Sequence, residues 1–314
     1  MRTTPGLRIG TRGSPLALAQ THQVRDLLIA AHPDLSRPGA IAVEVIKTTG
    51  DMVLDRPLAE IGGKGLFTKE LDEAMLAGRI DLAVHSMKDV ATVLPGGIVL
   101  PCILEREDPR DAFICLTADS LSALPPGSVI GTASLRRGAQ ILHRRPDLKV
   151  ESLRGNVQTR LRKLEEGAVS ATLLAVAGLN RLGLADKAAA FLDTDEVLPA
   201  VAQGAVGVTC RAGDVAAHER LKPLAHPATT LCVEAERAFL RVLDGSCRTP
   251  IAGLAELAED GTVRFRGLIV RPDGSALLAV ERHGPSTQAT ALAEDAAFEL
   301  LKRAGPGFLA ARES

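Results

Sequence analysis

Short apolar runs of strand length alternate with helical patterns through most of residues 7–209. Each run is bounded by glycine, proline or charged residues, which is typical of buried strands. Regular alternation of strands and helices predicts an α/β fold with a largely parallel sheet. Strands are predicted at 7–10, 41–47, 112–116, 128–133, 150–153 and 171–175, and helices at 16–28, 66–77, 134–143 and 157–166.

The chain beyond residue 222 has a different pattern, in which a helix precedes three strands and a second helix follows them. This order is typical of a small α+β domain. Two breaks in composition mark domain boundaries: the charged stretch 105–111 lies between the first two domains, and the segment around Pro223, His226 and Pro227 precedes this C-terminal part. The apolar run 197–209 can carry the chain back to the first part. The predicted domains are 1–104 with 204–222, then 105–203, then 223–314.

The stretch 81–90 is a short apolar run that leads into His85, Ser86, Lys88 and Asp89. Ligands of open α/β sheets bind beyond the carboxyl ends of the strands, which is where this stretch places its polar side chains. Two interpretations are open at this point. Lys88 and Asp89 form either a solvated ion pair on a loop or part of a functional site.

Composition narrows the possible ligands. The 314 residues carry a formal net charge of -1, and aromatic residues make up only 2%, without Trp or Tyr. Nucleic acid binding needs a basic surface or stacking side chains, so neither nucleic acid nor a general polyanion surface is expected. No apolar run approaches the length of a membrane span, and the N-terminus lacks the apolar core of a signal peptide. We therefore expect a cytoplasmic protein without membrane contact.

Three segments join the end of a strand to the start of a helix through a polar turn that contains or precedes arginine. A helix N-terminus presents unpaired N–H groups and a positive dipole end, and arginine binds carboxylates through two hydrogen bonds. A single turn of this kind is usually only a helix cap, but three of them together predict anion binding. The segments are 9–15, 130–137 and 152–160.

The second and third turns lie in a strongly basic field. Residues 131–163 contain nine Lys or Arg and two acidic residues, a net charge of +7. The arginines near the turns are expected to bind an anion, whereas Arg144, Arg145, Arg162 and Lys163 are expected on solvated helix faces. The implied ligand is a small or flexible polyanion. The segment 62–65 lacks the spacing of a phosphate-binding loop, so no nucleotide is inferred.

The five cysteines are widely spaced and contain no Cys-x-x-Cys, so neither disulfides nor a zinc site is indicated. Cys102, Cys115, Cys210 and Cys232 lie in apolar patterns and are expected to be buried. Cys247 differs because it lies in a polar, glycine-containing loop beside Arg248. A neighbouring cation favours the reactive thiolate. The residues alone leave Cys247 either reactive or exposed and inert.

The chain resembles the porphobilinogen deaminase (hydroxymethylbilane synthase) family. The matching motifs follow in order through the first two predicted domains and reach the cysteine loop of the third. They are 11–17, 62–67, 84–90, 105–113, 132–137, 153–160, 174–182, 198–204 and 245–247. Glu60 and Ser246 depart from the family pattern, since relatives carry lysine or glycine there.

The resemblance implies two periplasmic-binding-protein-like α/β domains joined by a hinge and a small α+β C-terminal domain. It also implies a transferase with one dipyrromethane cofactor, held by a thioether to Cys247. Four porphobilinogen molecules are added head to tail with loss of ammonia, and water then releases hydroxymethylbilane for tetrapyrrole (haem) biosynthesis. The acetate and propionate groups of this growing chain match the polyanion that the arginines indicate.

The resemblance also assigns individual residues. Asp89 takes the catalytic role, because a carboxylate near the pyrrole N–H stabilises the azafulvene cation left when ammonia departs. Cofactor binding falls to Cys247, Lys88, Asp89, Thr132, Ser134, Arg136, Arg137, Arg154 and Arg160. Substrate binding falls to Arg12, Ser14, Lys64, Phe67 and Gln203. No metal is expected, and the protein is expected to be a monomer.

A competing hypothesis is a non-catalytic anion-binding or effector-sensing protein with the same two α/β domains. That hypothesis accounts for the arginine turns but not for Cys247 or for the third domain. A covalent adduct on Cys247 distinguishes the two.

Overall fold

Three β-sheets organise the chain. The computed structural model describes residues 6–52, 66–243, 250–305 and 308. The first sheet has the order β2-β1-β3-β10-β4, the second β7-β6-β8-β5-β9 and the third β11-β12-β13. The strands are β1 Leu7–Thr11, β2 Ile41–Val45, β3 Leu82–Ser86, β4 Ile98–Ile103, β5 Asp111–Cys115, β6 Val129–Gly131, β7 Lys149–Glu151, β8 Ala171–Ala175, β9 Ala190–Phe191, β10 Val206–Arg211, β11 Ile251–Leu257, β12 Thr262–Val270 and β13 Leu277–Pro285.

Helices follow most of the strands, as the alternating pattern predicts. They are α1 Pro15–Ala31, α2 Thr49–Met52, α3 Lys69–Leu76, α4 Leu135–Arg144, α5 Val157–Glu165, α6 Val176–Leu182, α7 Val215–Leu221, α8 Pro227–Val242 and α9 Ala289–Ala304. Among the residues that the structure describes, no helix is long and apolar enough to cross a bilayer.

The chain divides into two units. The first contains the described residues of 1–54, 62–107 and 205–230, and the second contains those of 108–204 and 231–314. The first unit is therefore discontinuous, because the chain leaves it after β4 and returns with β10. The return occurs at residue 205, within the apolar run 197–209. The three-domain division of the chain stays a prediction.

The first sheet is largely parallel, as expected, because four of its five strands run in one direction, but the reversed strand was not predicted. In the first sheet β1 runs parallel to β2 and β3, but β10 runs antiparallel to both of its neighbours, β3 and β4. The reason is topological. The chain leaves from the carboxyl end of β4 and returns at that same edge, so β10 can only run in the opposite direction.

The second sheet is mixed for the corresponding reason. The pairs β6–β7 and β6–β8 are parallel, whereas β5, the strand by which the chain enters, is antiparallel to both β8 and β9. The first residue of β5 consequently lies at the edge where the parallel strands end.

Apolar side chains of the helices pack against the faces of the sheets. In the first unit Val24 and Leu28 of α1 pack against Ile9 and Leu82 of the sheet, and all four are fully or almost fully buried. Burying an aliphatic side chain of this size stabilises the fold by about 1.5–3 kcal/mol.

The C-terminal part is the small α+β element that the sequence predicts. Its three strands form an antiparallel meander, and α9 packs on β12 and β13. Within the second unit, Ala252 and Leu254 of β11 share an apolar cluster with Ala139 of α4 and with Leu198.

Candidate active site

The first unit brings two polar strand ends together. Strands β1 and β3 are parallel neighbours, so their carboxyl ends meet at one edge of the sheet. Arg12 follows β1, and Asp89 lies in the short 3-10 turn Met87–Asp89 that follows β3. The Arg12 Nη1 atom lies 3.8 Å from Asp89 Oδ2, with the two side chains 21% and 31% exposed. The structure thus places an accessible carboxylate beside a guanidinium, and it places Lys88, an exposed residue, in the same turn.

Helix α1 fixes the position of this edge. The Ser14 hydroxyl accepts the N–H of Ala17 at 3.3 Å, and Pro15 occupies the first turn, as the capping pattern predicted. Further along the helix, the Gln20 amide exchanges hydrogen bonds with the Ser86 hydroxyl at 2.9 and 3.1 Å. The last residue of β3 is therefore tied to α1 three positions before Asp89.

Phe67 lies against Arg12. The Arg12 guanidinium carbon is 4.1 Å from the centroid of the Phe67 ring, the distance of a cation–π contact. The N–H of Gly50 donates to the carbonyl of Leu66 at 2.9 Å, which fixes the backbone immediately before the ring. Lys64, the other substrate residue expected in this region, lies outside the described residues.

His85 has a structural role in the first sheet. Its Nε2 atom lies 3.0 Å from the Thr209 hydroxyl, and the side chain is buried. Burial, together with the positive charge of Arg12, lowers the pKa of His85 to about 4. The imidazole is thus neutral at physiological pH, and it links β3 to β10.

The second unit places two helix N-termini at one sheet edge. Strands β6 and β7 are parallel neighbours, and α4 and α5 begin shortly after them. Ser134 caps α4 and Asn156 caps α5 by accepting backbone N–H groups. The predicted residues at this edge are Thr132, Ser134, Arg136, Arg137, Arg154 and Arg160.

Arg154 and Arg160 are half-buried in the turn and helix that follow β7. Arg160 Nε donates to the carbonyl of Gly155 at 2.9 Å, which holds the guanidinium near the N-terminus of α5. Arg162 on the same helix has a side chain that is 66% exposed and lies near Glu166, as expected for a solvated face.

The arginine pair has a buried acidic partner that was not predicted from the sequence. Asp111, the first residue of β5, is fully buried, and both Arg136 Nη1 and Arg137 Nη2 lie 2.7 Å from its carboxylate. The reversed direction of β5 causes this contact, because its register places Asp111 opposite Ala175 at the end of β8. A charged residue that directly precedes an apolar strand was the available signal.

Burial pushes the pKa of Asp111 upward, but the charges of Arg136 and Arg137 outweigh burial and hold the pKa below its ordinary value. Two cations and one anion leave this buried group with a net positive charge. Arg136 Nε is buried and has no hydrogen-bond partner within the described part of the chain. Carboxylate binding by Arg136 and Arg137 stays a prediction.

Gln203 is buried in the second unit, and its amide donates to Asp111 Oδ1 and to the carbonyl of Pro109, both at 2.8 Å. The structure thus shows this side chain bound to the carboxylate that holds the arginine pair. Its expected contact with substrate stays a prediction.

The four described cysteines, Cys102, Cys115, Cys210 and Cys232, are buried and not in disulfides, as predicted. Burial raises the pKa of Cys102 to about 12, so this sulfur stays a thiol. Cys247 and the Glu60 and Ser246 positions lie outside the described residues.

Comparison with known proteins shows the family of the chain. Residues 7–219 match the model of the porphobilinogen deaminase dipyromethane cofactor binding domain, and residues 230–302 match the porphobilinogen deaminase C-terminal domain. The chain belongs to the porphobilinogen deaminase family. This assignment confirms the resemblance, and the members of this family are transferases that carry a dipyrromethane cofactor.

Relatives in the porphobilinogen deaminase family match along most of their length. The chain is 60% identical to the chloroplastic porphobilinogen deaminase of Oryza sativa subsp. japonica, over 96% of this chain and 85% of that protein. It is 56% identical to the porphobilinogen deaminase of Nitrobacter winogradskyi, over 96% of this chain and 94% of that protein.

Among solved structures, an ABC-transporter periplasmic substrate-binding protein from Coxiella burnetii aligns with a TM-score of 0.45 and 15% identity, over 71% of this chain and 94% of that one. A nutrient-binding protein from Burkholderia cenocepacia aligns with a TM-score of 0.41 and 14% identity, over 69% of this chain and 90% of that one. Both TM-scores are below 0.5, so the family assignment rests on the sequence matches.

Proposed function

We propose that this chain is a hydroxymethylbilane synthase, which joins four porphobilinogen molecules head to tail with loss of ammonia and then releases the tetrapyrrole by hydrolysis. The observation that carries the proposal is the match of residues 7–219 to the cofactor-binding domain of the porphobilinogen deaminase family. The polar groups at the two sheet edges provide the chemistry that this reaction needs.

The residues of the second unit fit a dipyrromethane. Its side chains are carboxylates, and the edge that contains Ser134, Arg154 and Arg160 offers hydroxyl and guanidinium donors for them. The buried Arg136 Nε, which has no hydrogen-bond partner within the described residues, is a further donor suited to an anionic ligand. We assign cofactor binding to Thr132, Ser134, Arg136, Arg137, Arg154 and Arg160, with Lys88 and Asp89 from the first unit and Cys247 as the covalent attachment.

When bound, the cofactor supplies the nucleophilic pyrrole carbon to which the first substrate is joined. The chain's own residues then have to favour departure of ammonia from porphobilinogen. The Asp89 carboxylate, 31% exposed beside Arg12, is assigned to face the pyrrole N–H of the substrate. As ammonia leaves, positive charge spreads onto that nitrogen, and a fixed carboxylate stabilises it more than a neutral side chain does.

Arg12 has two roles in this proposal. Its guanidinium lies 3.8 Å from the Asp89 carboxylate, and it is assigned to bind a carboxylate of the substrate. Ser14, Lys64 and Phe67 complete the proposed substrate contacts. Phe67 contributes the apolar surface that limits the movement of Arg12.

The proposal includes a monomeric protein in the cytoplasm. The rice relative is named as chloroplastic, so the cytoplasmic location is proposed for this chain alone and not from the family. Light scattering of the purified protein tests the monomer, since a dimer doubles the chain mass of 33.0 kDa.

Intact-protein mass spectrometry tests the covalent cofactor. We expect a mass above that of the sequence by one thioether-linked dipyrromethane. Cys247→Ala removes this addition, whereas Cys115→Ala, a change at a buried strand position, retains it. An unmodified mass in freshly purified, active protein contradicts the proposal and favours the non-catalytic anion-binding hypothesis.

A further inference from the structure

A fully buried carboxylate in the second unit has no part in the chemistry proposed above. Glu236 lies in α8, and its side chain is 0% exposed. Its Oε2 atom accepts the backbone N–H of Ala202 at 2.6 Å, and its Oε1 atom accepts that of Ala255 at 2.9 Å. One carboxylate therefore ties the turn that precedes β10 to the first strand of the C-terminal sheet.

The turn held by Glu236 has an unusual backbone. Ala202 has a φ of 59°, and no other described residue except glycine has a positive φ. In this left-handed region the Cβ atom crowds the backbone carbonyl, so a residue other than glycine occupies it only where surrounding contacts enforce it. The short bond from Ala202 N–H to the buried Glu236 carboxylate is such a contact.

The next residue connects this turn to the arginine pair. The Gln203 side chain is 1% exposed, and its amide donates to Asp111 Oδ1 at 2.8 Å. That oxygen also accepts hydrogen bonds from Arg137, and the other carboxylate oxygen lies 2.7 Å from Arg136 Nη1. The direction of the Gln203 side chain follows from the backbone conformation of Ala202.

We propose that Glu236 is a positioning residue for the arginine pair. By holding Ala202 in the left-handed conformation, it directs the Gln203 side chain to Asp111. The hydrogen-bonded Asp111 carboxylate in turn fixes the Arg136 and Arg137 guanidinium groups. This inference rests on the proposed function, because the arginines need a fixed orientation only if they bind ligand carboxylates. Charge-assisted hydrogen bonds depend on geometry, so displaced guanidinium groups bind a carboxylate less well.

Glu236→Gln tests this role with little change of volume. Its side-chain NH2 group replaces one acceptor oxygen and faces a backbone N–H, so the hydrogen bond from either Ala202 or Ala255 is lost. Gln203 is also a proposed substrate contact, so for holoprotein quantified by intact mass we expect the KM for porphobilinogen to rise on the order of 10-fold. Hydrogen–deuterium exchange in the peptide that spans 199–204 should become faster, a readout that does not depend on turnover.

Adding Ala202→Gly to Glu236→Gln is the decisive comparison. Glycine adopts a positive φ without enforcement. The KM of the double variant should therefore fall most of the way back to the wild-type value. Leu300→Ala in α9 is the matched control, because it removes a fully buried side chain of the C-terminal part without touching the turn. It should lower Tm while the KM stays near that of the wild type.

Two results overturn the positioning role while wild-type turnover is normal. One is a Glu236→Gln variant with lower Tm but with the KM and exchange of the wild type. The other is a double variant that is no better than Glu236→Gln alone. A wild-type holoprotein that forms no hydroxymethylbilane instead overturns the proposed function, and the exchange data still report whether Glu236 holds the turn.

Discussion

Arg12 and Asp89 form a charge pair across the ends of two neighbouring parallel strands, with 3.8 Å between Arg12 Nη1 and Asp89 Oδ2. The separation is longer than a hydrogen bond, and both side chains remain accessible. The pair therefore holds the Asp89 carboxylate in place without using its hydrogen-bonding capacity on Arg12. A ligand N–H can occupy the carboxylate oxygens.

Asp89→Asn is expected to retain the attached cofactor and to lose almost all turnover. The amide keeps the shape of the side chain but cannot stabilise a developing positive charge, so kcat should fall by at least about 100-fold. Intact mass and single-turnover rates measure the two properties separately. Asp89→Glu, which keeps the charge on a longer stem, should retain more activity than Asp89→Asn. Near-normal product formation by Asp89→Asn removes Asp89 from the catalytic role.

Phe67→Leu is expected to weaken substrate binding through Arg12. The variant keeps an apolar side chain but removes the ring face that lies 4.1 Å from the guanidinium. A cation–π contact contributes roughly 0.5–2 kcal/mol, which corresponds to a 2- to 30-fold decrease in kcat/KM. Phe67→Tyr retains the ring and is the control. Equal kinetics for the leucine and tyrosine variants would show that the ring face has no such role.

Two arginines of α5 provide a matched pair for testing the anion site. Arg160 is half-buried and its guanidinium donates a hydrogen bond to the carbonyl of Gly155, whereas the Arg162 side chain is 66% exposed. Arg160→Gln should raise the KM for porphobilinogen or lower the cofactor content by 10-fold or more, on the order of one charge-assisted hydrogen bond. Arg162→Gln removes the same charge and should change neither property. Similar effects of both variants would indicate a general electrostatic attraction rather than a site at Arg160.

Asp111→Asn is expected to be strongly destabilising. It leaves Arg136 and Arg137 buried without their counter-charge, which costs about 3–5 kcal/mol in comparable buried pairs. Asp26→Asn is the control, because Asp26 pairs with Arg25 at the surface, with side chains 63% and 36% exposed, and the change should cost less than about 1 kcal/mol. Denaturant unfolding measures both. Equal free energies of unfolding for the two variants would contradict the view of Asp111 as the centre of a buried charge group.

The low pKa of Asp111 also makes the stability of the fold depend on pH. A carboxyl whose pKa is lower in the folded than in the unfolded protein stabilises the fold above the unfolded value. That stability is lost as the pH falls through the folded pKa. Asp111 therefore contributes fully near neutral pH and loses its contribution only below about pH 4.

The lowered pKa of His85 predicts that the stability of the fold also depends on pH in a higher pH range. Its pKa is lowered to about 4 in the folded protein, against about 6.5 in an unfolded chain. The neutral imidazole stabilises the fold fully above pH 6.5, and this contribution is lost as the pH falls towards 4. The loss amounts to roughly 3 kcal/mol.

His85→Gln should flatten the difference in unfolding free energy between pH 7 and pH 4.5, because glutamine does not titrate. It can still hydrogen-bond to Thr209, so its stability at pH 7 should change little by comparison. Denaturant unfolding of both proteins across this range measures the effect. A variant that loses stability with acid as steeply as the wild type contradicts the assigned pKa.

The features that depend on neighbouring residues could be predicted from sequence. Strand β8 has the predicted bounds 171–175, and Ser14 and Pro15 start α1 as expected, because propensity and capping act within one turn of chain. The meeting of Arg12 and Asp89 was also foreseeable. It needs only that two strands of one sheet run parallel.

Features that depend on distant pairing could not be predicted in this way. Asp111 and Arg137 are 26 positions apart, and they meet because β5 runs against its neighbours. The corresponding reversal of β10 in the first sheet was not predicted either. Strand direction follows from the route of the whole chain through two units, and no local pattern encodes that route. Gln203 was found through the family motif, but its contact with Asp111 required the fold.

The insertion of β10 between β3 and β4 has a consequence for biosynthesis. Strand β4 ends at residue 103, and among the described strands it pairs only with β10, which begins at residue 206. While the ribosome makes the intervening chain, β3 and β4 each expose an edge whose partner does not yet exist. Such edges pair readily with other chains. The unit that leaves the ribosome first is therefore the one whose sheet is completed late, and a nascent chain stalled before residue 206 cannot close it.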